Sequence, residues 1–443
     1  MSEQAEPIRV AIACQGGGSH TAFTAGVLSR LLQADVTQRY EIVGMSGTSG
    51  GAICALLGWA ALVDGSPEKA AELLRGFWND NSASSIPDQF VNQMVLWGGQ
   101  LAGYMAIPEV SPYDNPAAVF AMQRMRTMLE DWVDFERLNQ VDDGTSDRPL
   151  LILGAVDVLS GVFKAFSSRD GEITPDAVLA SAALPGLFRS VAIGDGLYWD
   201  GLFSQNPPIH DLLASRPDEL WVIQINPQER RTEPRSTHEI TDRRGELAGN
   251  LSLYQELHVI EKIDELLETG ELVGDRYKPI TVRVIEMTRS ENSRRLGTIS
   301  KLNRDPAFVR GLITDGEATA EDFVTALRFE AAWRDRDLDA VSAFFAGPCA
   351  IVAHEPFPPI GPDADTGDLR AFLADKLATE IEVDHTRRQY AGDEFIWRVN
   401  YTDPASGERR RAQAGARFAG GQIVRFALGP TGSESAFDRR IVL

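Results

Sequence analysis

Twice within its first 63 residues this chain runs an apolar strand pattern into a cluster of glycines and then into a helix, and no other feature constrains the fold as much. Residues 8–14 are apolar apart from Arg9. They lead into Gly16-Gly17-Gly18 and a helical pattern over residues 20–33 that gathers Phe23, Val27, Leu28, Leu31 and Leu32 on one side. Residues 40–46 lead into Gly47-Thr48-Ser49-Gly50-Gly51 and then the apolar helix 52–63. Strands apolar on both faces need cover on both, and strands separated by helices run mostly parallel. With further strands at 150–157 and 219–226, the expectation is an α/β unit with a mostly parallel central sheet flanked by helices.

The texture changes from about Glu321. A helix carrying Phe323, Leu327, Ala331 and Trp333 is followed by a strand at 350–353, a helix at 369–377 and alternating strands at 382–390, 395–402, 409–418 and 422–428. Asp403-Pro404-Ala405-Ser406-Gly407 and Ala419-Gly420-Gly421 supply hairpin chemistry between the last three. This is a smaller α+β unit. A chain of 443 residues also exceeds what one core usually organises, so the expected domains are 1–312 and 318–443, with the boundary inside 304–320.

A net charge of -21 argues against nucleic acid and against electrostatic docking on anionic membranes, so any membrane contact is expected to be transient, and either apolar or guided by a local patch. Cys14, Cys54 and Cys349 are dispersed and odd in number, which suits free, mostly buried thiols. Residues 1–10 show no basic segment followed by an apolar one, and 52–63 is too short to span a bilayer, so a cytoplasmic location is expected. Residues 87–113 are rich in aromatic residues and Met, with Phe90, Met94, Trp97, Leu101 and Met105 near helical spacing. Core packing is the simpler reading of that stretch; a lid or acyl-chain channel is the alternative.

Both glycine clusters also carry a chemical meaning. Bare backbone N–H groups opening a helix hold anions of any kind. A dinucleotide fingerprint would need glycine where Thr21 stands, and no Lys-Ser or Lys-Thr pair follows to make a P-loop, which leaves an oxyanion hole as the stronger use of Gly16, Gly17 and Gly18. Gly47-x-Ser49-x-Gly51 sits between strand and helix as a nucleophile elbow does: small residues let a strained turn close while the Ser49 hydroxyl projects outward. A plain small-residue turn is the competing reading.

Of the six histidines, His210, His238 and His258 occupy positions open to a catalytic role, yet none lies in a Gly-flanked loop. Carboxylates offer more. Gly194-Asp195-Gly196 joins two short strands and reads as a hairpin turn, whereas Asp200-Gly201 ends the second strand and continues into an extended polar segment through Asn206-Pro207-Pro208. Asp200 is the candidate base, with another turn aspartate as the alternative.

Four segments, in order, resemble the patatin-like phospholipase family over residues 8–288. They are Gln15-Gly16-Gly17-Gly18-Ser19-His20, Gly47-Thr48-Ser49-Gly50-Gly51, Ala180-Ser181-Ala182-Ala183-Leu184-Pro185-Gly186-Leu187-Phe188 and Asp200-Gly201. The resemblance implies Ser49 as nucleophile, Asp200 as sole protein base, an oxyanion hole at Gly16 to Gly18, a lipid ester substrate and an acyl-enzyme intermediate. It implies no cofactor, and no motif gathers carboxylates at calcium-ligand spacing. His20 and Thr21 stand where the family often has a basic residue and then glycine, so the resemblance does not carry over a flanking positive charge. A carboxylate base further implies a pH profile without the limb at about pH 6.5 that a neutral histidine requires.

The C-terminal unit resembles the SnoaL-like, NTF2-like superfamily over residues 318–428, on Phe329-Glu330-Ala331-Ala332-Trp333-Arg334-Asp335-Arg336-Asp337-Leu338-Asp339-Ala340 and the final hairpin strands. The resemblance implies a cone-shaped α+β fold and makes a homodimer through this unit an expectation. His354, Asp384, His385, Tyr390 and Trp397 are candidates to line a pocket, and ordinary sheet and surface positions are the simpler reading. Three functions stay open: a lipid acyl hydrolase, an acyltransferase on the same dyad, and a non-catalytic lipid- or ligand-binding scaffold.

Overall fold

A computed structural model of the chain describes residues 6–102, 110–139, 148–228, 230, 233–274, 276–287, 296–345, 350–353, 370–375, 382–383, 388–391, 394–402, 406–419 and 421–430. The chain divides into two compact units, one of residues 1–259 with 287–317 and the other of 260–286 with 318–443.

Among the described residues the first unit comprises β1 (Ile8–Cys14), α1 (Ala22–Leu31), α2 (Ala34–Thr37), β2 (Tyr40–Gly47), α3 (Gly50–Val63), α4 (Ala70–Asn81), α5 (Ile86–Ala102), α6 (Pro116–Trp132), α7 (Phe135–Leu138), β3 (Leu150–Asp157), β4 (Phe163–Ser167), α8 (Pro175–Ser181), β5 (Val191–Ile193), β6 (Gly196–Asp200), β7 (Glu219–Gln224) and parts of α9 (Thr237–Glu268) and α10 (Pro306–Arg334). Its strands lie in the order β5-β6-β3-β2-β1-β7, with β4 also on β3. β1, β2, β3 and β7 are parallel; β4, β5 and β6 pair antiparallel at the β3 edge. This is the α/β architecture expected from the alternating patterns.

Register places the chemistry. Cys14 lies opposite Gly47, so β1 and β2 end at one level and their glycine turns emerge side by side, while β3 continues past Leu153, the residue opposite Gly47, to Asp157. β6 runs the other way and sets Asp200 opposite Ala155, two residues further along β3. Behind the turns α3 is buried from Gly50 to Ala61, as a helix apolar all round must be.

Two glycines decide how closely α1 and α10 pack. A Cβ at Gly26 would collide with the Ile313 carbonyl oxygen, and one at Gly316 with that of Phe23, so the two backbones touch where a side chain would hold them apart. Pro306 accordingly opens a helix, and Gly316 lies within it.

The core role expected for residues 87–113 does not hold. Phe90, Met94, Trp97 and Leu101 on α5 face solvent; the helix is held instead by polar groups, Asp88 pairing with Arg304 and Arg124 and the Asn92 Oδ1 accepting the Arg304 N–H at 2.9 Å. Met105 lies outside the described residues.

The second unit joins β8 (Thr281–Glu286), the rest of α9 and α10, α11 (Leu338–Ala343), β9 (Ala350–Ala353), β10 (Glu382–Val383), β11 (Arg388–Ala391), β12 (Glu394–Thr402), β13 (Arg409–Ala419) and β14 (Gln422–Pro430). The order is β8-β11-β12-β13-β14-β9, with antiparallel pairing from β11 to β14 and β10 also on β12. Residues 260–286, inside the stretch 1–312 expected as one domain, group here because β8 pairs in parallel with β11, Arg283 opposite Arg388. Arg283 is buried and ion-paired with buried Glu330 at 2.7 Å. Phe329, Trp333, Phe345 and Phe426 close the core, with Phe345 and Phe426 ring centres 5.8 Å apart. His354, Asp384, His385 and Cys349 lie outside the described residues; Tyr390 and Trp397 lie on β11 and β12, with side chains likewise outside.

Gly26→Ala tests the helix crossing. Alanine gains about 1 kcal/mol of helix propensity but overpacks a backbone contact, which costs on the order of 1–3 kcal/mol or more, so the variant is expected to unfold at lower urea concentration than wild type.

Candidate active site

Ser49 occupies the turn between β2 and α3 at φ 58° and ψ -131°, a left-handed conformation that L-residues avoid. Such strain costs about 1–3 kcal/mol and persists only where the surroundings enforce it. Here the Ser49 N–H donates to the Ser181 carbonyl at 3.0 Å and its Oγ at 3.1 Å. The Thr48 hydroxyl donates to the Gln205 carbonyl at 2.9 Å. A Cβ at Gly47 would strike the Gly51 carbonyl and one at Gly51 the Cys14 carbonyl, so neither flank accepts a side chain.

Asp200 caps the next turn, its Oδ1 accepting the Leu202 N–H at 2.9 Å. Its carboxyl is 1% exposed. Burial pushes its pKa up to about 7, while the Leu202 N–H, the Ser49 hydroxyl and the Lys301 charge pull the other way. Oδ2 is buried and has no hydrogen-bond partner. Asp195, by contrast, sits exposed in the β5–β6 hairpin turn.

The glycine loop lies over Ser49. A Cβ at Gly16 would stand 2.6 Å from the Thr48 carbonyl oxygen and 2.9 Å from the Ser49 Cβ. The Gly16 N–H donates to the Asn206 Oδ1 at 2.7 Å and is therefore committed to the scaffold, a departure from its expected place in the oxyanion hole. Gly17 and Gly18 open the short 3-10 turn Gly18–Thr21, with Gly18 at φ +56°.

Buried side chains hold this loop. The Gln15 Oε1 accepts the N–H groups of Ile225 and Asn226, both at 2.8 Å, and its Nε2 donates to the Gly249 carbonyl and the Asn250 Oδ1. The Asn206 Nδ2 donates to the same Gly249 carbonyl at 3.3 Å. Lys301 donates to the Asn226 Oδ1 at 2.7 Å; burial lowers its pKa, and Glu246, Asp242 and Asp200 counter that.

Gln15 and Ser181 were visible in the sequence only as members of motif segments, and Asn206 only as a polar residue after Asp200. Lys301 had no signal at all: it lies about a hundred positions from Asp200 and in no motif. It brings a positive charge to the site from elsewhere in the chain. The His20 ring bonds the Ser300 hydroxyl at 2.8 Å, and His210 and His258 are exposed. Cys14 and Cys54 are free and buried, with Cys54 pushed up to about 12, so both are inert thiols.

The patatin-like phospholipase family model matches residues 12–213, which contain both glycine turns, Ser49 and Asp200. Residues 12–213 are a patatin-like domain. The general activity of such a domain is lipid acyl hydrolysis. No curated protein matches the chain significantly. Solved structures similar to part of it include NTF2-like proteins of unknown function from Cytophaga hutchinsonii (10% identity over 24% of this chain and 87% of that one, TM-score 0.20) and Mesorhizobium loti (22% identity, 25% and 92%, TM-score 0.21). An uncharacterized cystatin-fold protein from Novosphingobium aromaticivorans shares 19% identity over 24% of this chain and 96% of its own, at TM-score 0.20. No described helix is long and apolar enough to cross a membrane.

The raised Asp200 pKa corrects the expected pH profile. A buried carboxylate at about 7 produces an acid limb in the histidine range, so a limb there does not report a histidine. Hydrolysis of a soluble ester is expected to rise with pH through about 7 as Asp200 ionises. In Lys301→Met the limb moves to higher pH, because the lost charge favoured the carboxylate; in His20→Gln it stays. An unchanged limb in Lys301→Met contradicts the electrostatic coupling.

Proposed function

We propose that the chain is a serine acyl hydrolase acting on carboxylic esters of lipids, phospholipid, lysophospholipid or acylglycerol, through a Ser49–Asp200 dyad. The observation that carries this reading is a strained, hydroxyl-bearing turn beside a carboxylate whose Oδ2 is buried and unbonded. Asp200 takes the Ser49 proton as Oγ attacks the ester carbonyl, and negative charge develops on the carbonyl oxygen. The Gly17 and Gly18 N–H groups stabilise that oxyanion, with the Gly16 amide keeping the loop in place through Asn206. Collapse of the tetrahedral intermediate expels the alcohol, which takes the proton from Asp200. Water then attacks the acyl-enzyme, its proton passing to Asp200 and on to Ser49 as the fatty acid leaves. Each of these groups lies within residues 1–259 of the first unit.

A pKa near 7 suits the role. A carboxylate of ordinary pKa would hold the serine proton too weakly, whereas one near the working pH is both ionised and basic enough. That tuning costs stability. A carboxyl raised in the folded state stabilises the fold fully below its unfolded pKa of about 4, and that contribution is lost as pH rises to about 7.

The test is labelling by a fluorophosphonate. Wild type is expected to label and to hydrolyse lipid esters, Ser49→Ala to do neither, and Asp200→Asn to lose on the order of 10² to 10⁴ in rate. Asp200→Asn is also expected to melt above wild type at pH 8, since it removes a penalty of up to about 4 kcal/mol. Labelling that persists in Ser49→Ala refutes the assignment.

A further inference from the structure

Helix α5 is packed inside out. At 100° per residue, Ile86, Phe90, Met94, Trp97 and Leu101 fall within an arc of about 80°, and they are 83%, 65%, 50%, 60% and 51% exposed. The opposite face carries Asp88, Asn92 and Gly99 and is the one bound to the protein: Asp88 pairs with Arg304 and Arg124, Asn92 bonds Asn303 and Arg304, and a Cβ at Gly99 would meet Ile299 at 3.1 Å. A soluble helix ordinarily buries the apolar face and shows the polar one.

The charges on and around the stripe define what it fits. Asp88 is the one charged residue of α5, it faces inward, and its carboxylate is held below the usual range by Arg304 and Arg124 despite the opposing effect of burial. Both flanking arginines are thereby occupied. The stripe offers an anionic surface no cation, and the chain's net charge of -21 repels one. A protein partner would normally meet a polar rim around such a stripe; Gln89, Gln93 and Gln100 supply only uncharged groups. Large aliphatic residues with a tryptophan, free of charge, match the boundary between acyl chains and an uncharged or zwitterionic headgroup layer.

Position relative to the chemistry agrees. The segment that α5 grips, Ile299 to Arg304, carries Ser300, which bonds His20 after the glycine loop, and Lys301, whose charge acts on Asp200. We infer that the exposed stripe of α5 docks the protein onto a zwitterionic lipid surface beside the active site, lying in the interface without crossing it. This rests on the lipid ester hydrolase reading, since it names the physical state in which that site meets its substrate.

The experiment separates docking from chemistry. Full-length Ser49→Ala is centrifuged with phosphatidylcholine vesicles and, in parallel, with phosphatidylglycerol vesicles. Sedimentation with phosphatidylcholine is expected, and Phe90→Asp and Trp97→Asp made in the same background should each weaken partitioning on the order of tenfold or more. The same substitutions in the active chain should leave hydrolysis of a soluble short-chain ester, and the thermal midpoint, at wild-type values. Failure of Ser49→Ala to bind phosphatidylcholine overturns the inference, as does binding that the aspartates leave unchanged or that occurs with phosphatidylglycerol alone. A lipid-free dimer that both aspartate variants convert to monomer also overturns it, because the stripe then belongs to a second copy of the chain. Vesicle binding of the expected kind with no hydrolysis of any ester by wild type leaves docking standing and removes the hydrolase reading instead.

Discussion

A carboxylate kept almost wholly out of water, with one oxygen bonded to a backbone N–H and the other to nothing at normal length, is the constraint on which the rest of the first unit depends. Left to itself a buried carboxyl takes up a proton and becomes inert as a base. Asp200 is drawn back toward the ionised form by three modest influences, the Leu202 N–H, the Ser49 hydroxyl and the Lys301 charge, and it comes to rest near neutrality. That balance is positional. It needs β6 to end opposite Ala155, the Gly201 turn to present Leu202, and the segment around Ile299 to bring Lys301 across.

Ser49 and the glycine loop obey a different rule, namely that atoms are brought together by leaving side chains out. Gly47, Gly51 and Gly16 each stand where a Cβ would meet a nearby backbone, and β1 and β2 ending at one level bring the turns of Gly16 and Gly51 against each other. What then keeps the loop from collapsing is a pair of buried amides. Gln15 and Asn206 meet at the Gly249 carbonyl, so the glycine loop, the segment after Asp200 and α9 share one hydrogen-bonded joint. The Gly16 amide is spent on that joint, so in the proposed mechanism the loop divides into one glycine that fixes it and two left for the oxyanion.

How far the sequence could be read follows from which interactions are local. Strand, turn and helix around Ser49 are contiguous, so the elbow was legible, and hairpin chemistry within nine residues separated Asp195 from Asp200. Burial is not local. Nothing between residues 195 and 208 announces that the Asp200 carboxyl is sealed from water, so a pKa pushed up to about 7 is illegible in the sequence. Lys301 was illegible for the same reason, and so was the grouping of residues 260–286 with the second unit, which depends on β8 finding β11 a hundred positions later. α5 misled in the opposite direction: its apolar spacing is regular, and periodicity reports which residues share a face without saying which way the face turns.

The proposed dyad also accounts for His20 and Thr21 standing where the resemblance leads one to expect a basic residue and a glycine. If the oxyanion is held by backbone N–H groups, the side chains beside them are released to other work. The Thr21 hydroxyl donates to the Gly18 carbonyl, and its main-chain oxygen accepts from the Cys54 thiol at 3.3 Å, tying the loop to α3; His20 ties it to Ser300. The positive charge absent at position 20 returns as Lys301, held by Asn226 rather than by the loop. Charge and loop geometry are therefore carried by separate elements, so either can change without disturbing the other. Electrostatics acts over several ångströms and accepts a substitute from any direction, whereas the turn at Ser49 depends on contacts that no distant residue can replace.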